Sequence, residues 1–102
     1  MAFSKSNRYP KDEQILSSFA KAFGHPARVS IIRKLSHDGP CSVEELLKNH
    51  PISQPALSTH LEILRKNQLV EFNEKFPRTY YNLVEKNLIL AKRYLTTFFE
   101  DI

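Results

Sequence analysis

The stretch SQPALSTHLEILRKNQLVEF, Ser53 to Phe72, decides the fold. On a helix advancing about 100° per residue, Leu57, Leu61 and Leu64 fall together and are assigned to the core. Pro55, Ser58, Thr59, Glu62 and Lys66 gather on the opposite side. Ser53 is placed to cap the helix, and Pro55 is tolerated because first-turn amides have no intrahelical acceptor. The helix is expected to run to about Asn67. A polar stripe of this kind can be no more than a solvated face. An uncharged N-terminal half carrying Gln54, Ser58 and Thr59 also suits a DNA major groove, where short hydroxyls allow close approach and the Gln54 amide can pair bidentately with adenine. The positive end of the helix dipole, near Ser53, favours a phosphate backbone.

The neighbouring segments choose between these readings. Upstream, CSVEELLKNHP predicts a short helix that Ser42 caps, with Glu45 three residues on completing a capping box, and Pro51 ends it. A short helix, a brief turn and the longer helix at Ser53 make a helix-turn-helix. Downstream, LVEF, the polar turn NEKFPR and TYYNLV predict a β-hairpin that would form a wing. Lys75 and Arg78 in that turn would reach phosphates or the minor groove, or serve only solubility. Before the helix-turn-helix, Ile15, Leu16, Phe19 and Phe23 recur at helical spacing until Gly24, and GHPARVSIIRKLSHDGP predicts a second helix with Val29, Ile32 and Leu35 on one face. From Lys86 to Ile102 a last helix carries Leu88, Ala91, Leu95, Phe98 and Ile102 as one stripe, with Ile89, Tyr94 and Phe99 outside it. The expected fold is therefore mainly α with a small antiparallel β-hairpin: a winged helix-turn-helix of five helices plus wing.

Composition sets the bounds. At 102 residues the chain holds one domain, with 41% hydrophobic and 25% charged residues, the profile of a globular protein. Residues 1–11 contain Lys5, Arg8 and Lys11 and no acid, and are expected as a basic N-terminal arm, leaving 12–102 as the DNA-binding and dimerisation domain. Fifteen Lys and Arg against eleven Asp and Glu give a formal charge of +4, which suits a polyanionic partner. The single cysteine, Cys41, excludes an intramolecular disulfide and fits the cytoplasm. No signal peptide or membrane span is seen.

With these residues placed, the sequence resembles the ArsR/SmtB family of winged-helix transcriptional repressors over roughly residues 15–100. FGHPARVSIIRKL is similar to the family's second helix, SQPALSTHLEILRKNQLVEF to its Ser-Gln-x-x-x-Ser-x-His-Leu-x-x-Leu-Arg recognition stretch, and RTYYNL to its wing. The resemblance implies that Ser53, Gln54, Ser58, Thr59 and His60 lie on or beside the DNA-facing helix. Thr59 stands where many members have histidine, so base preference does not carry over, and Gln68 occupies a position that is commonly glycine. His60, at the margin of the leucine face, is either a half-buried hydrogen-bonded residue or a DNA contact. Arg65 braces the wing or a nearby acid, and Arg28 and Arg33 are solvated or touch phosphate.

Family members often sense metal through Cys-x-Cys on the third helix or through His and acidic ligands on the last. Here Ser42-Val43-Glu44 stands in the first place and the last helix has no histidine. His25, His37, His50 and His60 are scattered without ligand spacing, so neither metal nor cofactor is expected. Cys41 alone cannot close a disulfide within a subunit, though it could pair between subunits. Paired carboxylates, an activated nucleophile and a glycine-rich phosphate loop are all missing, which excludes the common enzyme classes. The expected function is a homodimeric regulator, most simply a repressor, bound to a palindromic double-stranded operator, its effector unidentified. Its dimer seam would use Ile15, Phe19, Leu95, Phe98 and Phe99. The rival reading is a winged-helix module whose polar helix docks a protein.

Overall fold

A computed structural model describes residues 6–102. A 3-10 turn, Ser6–Arg8, precedes α1 (Lys11–Ala22) and α2 (Pro26–Asp38); β1 (Cys41–Ser42) leads into α3 (Val43–Lys48) and α4 (Gln54–Lys66); β2 (Val70–Lys75) and β3 (Arg78–Leu83) precede α5 (Glu85–Asp101). The mainly α winged helix-turn-helix with five α-helices is as expected. Lys11 already belongs to α1 and Ser6–Arg8 are helical, while Lys5 lies outside the described residues.

Local chemistry explains the helix starts. His25 caps α2, its Nδ1 accepting from Ala27 N–H at 3.0 Å, and Pro26 follows in the first turn. The capping box of α3 is complete: Glu45 N–H donates to Ser42 Oγ at 3.1 Å and Ser42 N–H to Glu45 Oε1 at 3.0 Å. The Ser42 N–H first, then the Ser42 hydroxyl, hold the Glu45 carboxyl below its ordinary pKa. Ser53 Oγ accepts from Ala56 N–H at 3.3 Å to start α4.

The wing is larger than a hairpin. Its sheet has the order β1-β3-β2, all antiparallel, with Cys41 opposite Tyr81 and Val70 opposite Leu83. Two residues of β1 are too few to show a period of two, so the sequence could not announce them. The NEKFPR turn also shrinks to Phe76-Pro77. Lys75 ends β2 and Arg78 opens β3, directly opposite each other.

One cluster forms the core: Phe19 and Ala22 of α1, Ile31 and Leu35 of α2, Leu46 of α3, Leu57, Leu61 and Leu64 of α4, and Leu69, Val70 and Ala91. On α2 the buried face differs from the expected one: Arg28, Ile31 and Leu35 point inward, Ile32 is half-buried and Val29 is exposed. An arginine supplies part of that face, which an apolar count cannot register. Phe19 packs under Tyr94 with ring centroids 6.0 Å apart and is only 7% exposed, so its surface is already covered by its own chain rather than offered to a partner.

Gln68 ends α4 in the left-handed region at φ 59°. Leu69 N–H donates to Leu64 O at 3.0 Å across it, and Gln68 N–H to Arg65 O at 2.9 Å, closing the helix and turning the chain into β2. The turn that glycine commonly makes is thus made by glutamine, held by the burial of Leu69 and by Asn87 Nδ2 donating to Gln68 O at 2.7 Å.

Candidate nucleic-acid interface

On α4 the leucine face is sealed, with Leu57, Leu61 and Leu64 buried. Ser53, Gln54, Pro55, Ser58, Thr59 and Lys66 are all exposed on the other side. The first turn of α4 carries no acid, Pro55 has no N–H and Ala56 N–H is taken up by the Ser53 cap, so small uncharged side chains make up its outer surface. Thr59 Oγ1 donates to Pro55 O at 3.1 Å, which leaves its lone pairs outward. Further along, Glu62 is engaged: Arg65 Nε and Nη2 donate to its two oxygens at 2.6 and 2.9 Å, and the guanidinium holds the carboxyl below its usual pKa. Of the two roles open to Arg65, bracing an acid is the one observed.

His60 is half-buried, and its main partner is Arg28. Arg28 Nη1 donates to His60 Nδ1 at 3.0 Å; a guanidinium has only donors, so this ring nitrogen is the acceptor. The same arginine donates through Nε to Ala22 O at 2.9 Å and through Nη2 to Lys21 O at 3.1 Å. Four residues after Ala22 stands Pro26, which has no N–H, and the side chain of Arg28 supplies the missing donor. One cation thus joins the end of α1 to α4. Arg28 is 8% exposed, correcting its expected solvated or phosphate-facing placement. His25 lies beside His60, the ring centroids 4.4 Å apart and the planes tilted by 43°. Burial first, then His25 and Arg28, push the His60 pKa down, keeping the neutral form that accepts from Arg28. The sequence marks His60 as marginal but gives no sign of this partner, 32 positions away.

Lys75 and Arg78 are exposed at the end of the wing and share its face with Asn73 and Tyr80 by strand alternation. Phe76, at the tip, is 99% exposed. The residues expected for a seam are divided: Ile15 and Leu95 are half-buried, Phe19 is interior, and Phe98 and Phe99 are exposed in an edge-on pair at 5.6 Å. Ile89, Leu90 and Ile102 add exposed apolar surface that the sequence reading left off its seam.

The metal-sensing chemistry of the resembled family does not fit these residues. Among the described residues no three His, Cys, Asp or Glu side chains gather where they could hold an ion. Cys41 is buried, its sulfur donating to Gly39 O at 3.5 Å, and burial, then the Glu45 carboxylate, raise its pKa, which disfavours a reactive thiolate. His50 is buried in the turn after α3, Nδ1–H donating to Leu46 O at 2.6 Å. No helix among the described residues is long and apolar enough to cross a membrane.

Comparison with known proteins agrees with this geometry. A family model described as "Bacterial regulatory protein, arsR family" matches residues 25–71, from the cap of α2 into β2. An HTH-type transcriptional regulator of Methanocaldococcus jannaschii is 31% identical over 78 residues, 76% of this chain and 83% of that one. Another, from Mycobacterium tuberculosis, is 33% identical over 78 residues, 76% of this chain and 72% of that one. The crystal structure of the transcriptional repressor BigR from Xylella fastidiosa superposes with a TM-score of 0.70 at 28% identity, covering 94% of this chain and 97% of that one.

Proposed function

This chain belongs to the ArsR family of bacterial transcriptional regulators, and from that premise we propose that it is a homodimeric repressor that binds a palindromic operator. The observation that carries the reading is the division of α4: three buried leucines anchor it while Ser53, Gln54, Pro55, Ser58 and Thr59 face outward at its positive end. Gln54 and the hydroxyls read base edges, and Lys66, Lys75 and Arg78 contact phosphate. His60 acts from behind, fixing the helix to Arg28 rather than touching DNA.

The exposed faces of α1 and α5 are covered by a second copy. Phe98, Phe99 and Ile102 remain 42%, 66% and 82% exposed, a continuous apolar end that favours burial in an isologous contact. Twofold symmetry then sets the half-sites about one helical turn apart, roughly 34 Å. The repressor of Xylella fastidiosa supports repression as the outcome of binding.

Duplexes selected from a random pool, titrated by fluorescence anisotropy at rising salt, test the reading. The expected result is binding to an inverted repeat whose log K falls linearly with log salt as counterions are released. Salt-insensitive binding to a polypeptide, with no duplex retained, would instead assign the polar helix to a protein partner.

A further inference from the structure

Single exposed apolar residues are ordinary on protein surfaces, but Phe76 differs in where it stands. Phe72, four residues earlier on β2, rests against Tyr81 with ring centroids 5.8 Å apart. Phe76 is 99% exposed at the outermost point of the ribbon, followed by the stiff ring of Pro77. Lys75 and Arg78 flank it as an opposed pair, and strand alternation turns Glu74 to the other face. An apolar tip on a cationic ribbon is the chemistry of side chains that enter the DNA minor groove and wedge between base steps, for which Phe and Pro are both used.

The reach fits. β2 has six residues, about 20 Å of extended chain at roughly 3.4 Å each, and starts at Val70 just beyond the turn that closes α4. Half a turn of duplex, about 17 Å of a roughly 34 Å repeat, separates a major groove from the adjacent minor groove. With α4 in the first, the wing tip can arrive at the second.

The geometry points to Phe76 as a minor-groove wedge that partly unstacks one base step and bends the operator, with Lys75 and Arg78 holding the backbone on either side. This rests on the DNA-binding reading above and adds to it a bend and a preference for flexible pyrimidine–purine steps beneath the wing.

The test uses the full chain on an end-labelled duplex of the selected operator, reading bend by end-to-end energy transfer and by permuted-fragment mobility, and affinity across a salt series. Wild type should bend the duplex. Phe76→Ala should lose most of the bend and about 10-fold or more in affinity with an unchanged salt slope, since no charge is removed. Phe76→Leu should keep much of the bend. Lys75→Ala should keep it as well while lowering the slope by about one. Circular dichroism confirms folding, which a fully exposed position should not affect. Wild type that binds a straight duplex, or a bend that survives in Phe76→Ala, overturns the wedge alone. A wild type that binds no duplex overturns both this and the regulator reading.

Discussion

Replacing Arg28 with methionine removes a cation from the junction of α1, α2 and α4 while keeping much of the stem's packing volume. Three acceptors lose a donor, but not equally. Lys21 O still accepts from Gly24 N–H at 3.0 Å, so its loss is small. Ala22 O and His60 Nδ1 are left without that partner, and each unsatisfied group at a buried site costs about 1–3 kcal/mol. Because His60 is only half-buried, the expected loss lies in the lower part of the summed range, about 2–4 kcal/mol, which lowers Tm by roughly 10 °C or more in a domain of this size. Arg28→Lys should recover only part of it, because one ammonium cannot present the guanidinium fork. Urea denaturation at fixed protein concentration measures the loss, and a double-mutant cycle with His60→Ala isolates the link, with a coupling of about 0.5–3 kcal/mol. A loss under about 0.5 kcal/mol, the level of an exposed charge, would refute the claim that this arginine ties α4 to α1.

Other consequences follow from single backbone and titration features. Gln68→Gly relieves a left-handed residue that glycine adopts freely, and should raise stability by about 0.5–1 kcal/mol in the same urea assay. Gly39→Ala should cost about 1–3 kcal/mol: its φ of 76° and ψ of −158° lie in a region reserved for glycine, although a Cβ there would meet no atom within 4 Å. His60 has a folded-state pKa below its ordinary value of 6.5, so the native state binds fewer protons than the unfolded chain. Its contribution is full above that value and fades as pH falls through the folded pKa, and melting from pH 8 to 5 should show a slope that His60→Gln flattens.

The helices were legible because their signals are local. Ser42 with Glu45, Ser53 with Pro55, and Leu57, Leu61 and Leu64 each state a cap or a face within a few residues. What stayed hidden depends on distant pairing. β1 exists only because β3 lies beside it, and Arg28 reads as a solvated charge until α1 supplies two carbonyls and α4 a histidine. The same substitution of a polar group for an apolar one moved the α2 face from Val29 to Ile31. At the wing, a polar run read as a long turn was mostly strand, because Asn73, Glu74 and Lys75 pair with Tyr80, Thr79 and Arg78 despite their low strand propensity. Of the residues assigned to DNA, His60 alone is drawn inward; those on α4 are otherwise exposed, as its leucine spacing requires, and Lys75 and Arg78 are exposed because they stand at the tip of the wing.

The measurement closest to the central claim is the operator affinity of Ser58→Asp at low salt. Ser58 is exposed on the polar face of α4, so the change should leave melting nearly unaltered. An acid carried into the groove, against the acceptor-rich base edges and between the two phosphate strands, should weaken binding by about 100-fold. Unchanged affinity in a folded protein would mean that this face of α4 does not meet DNA.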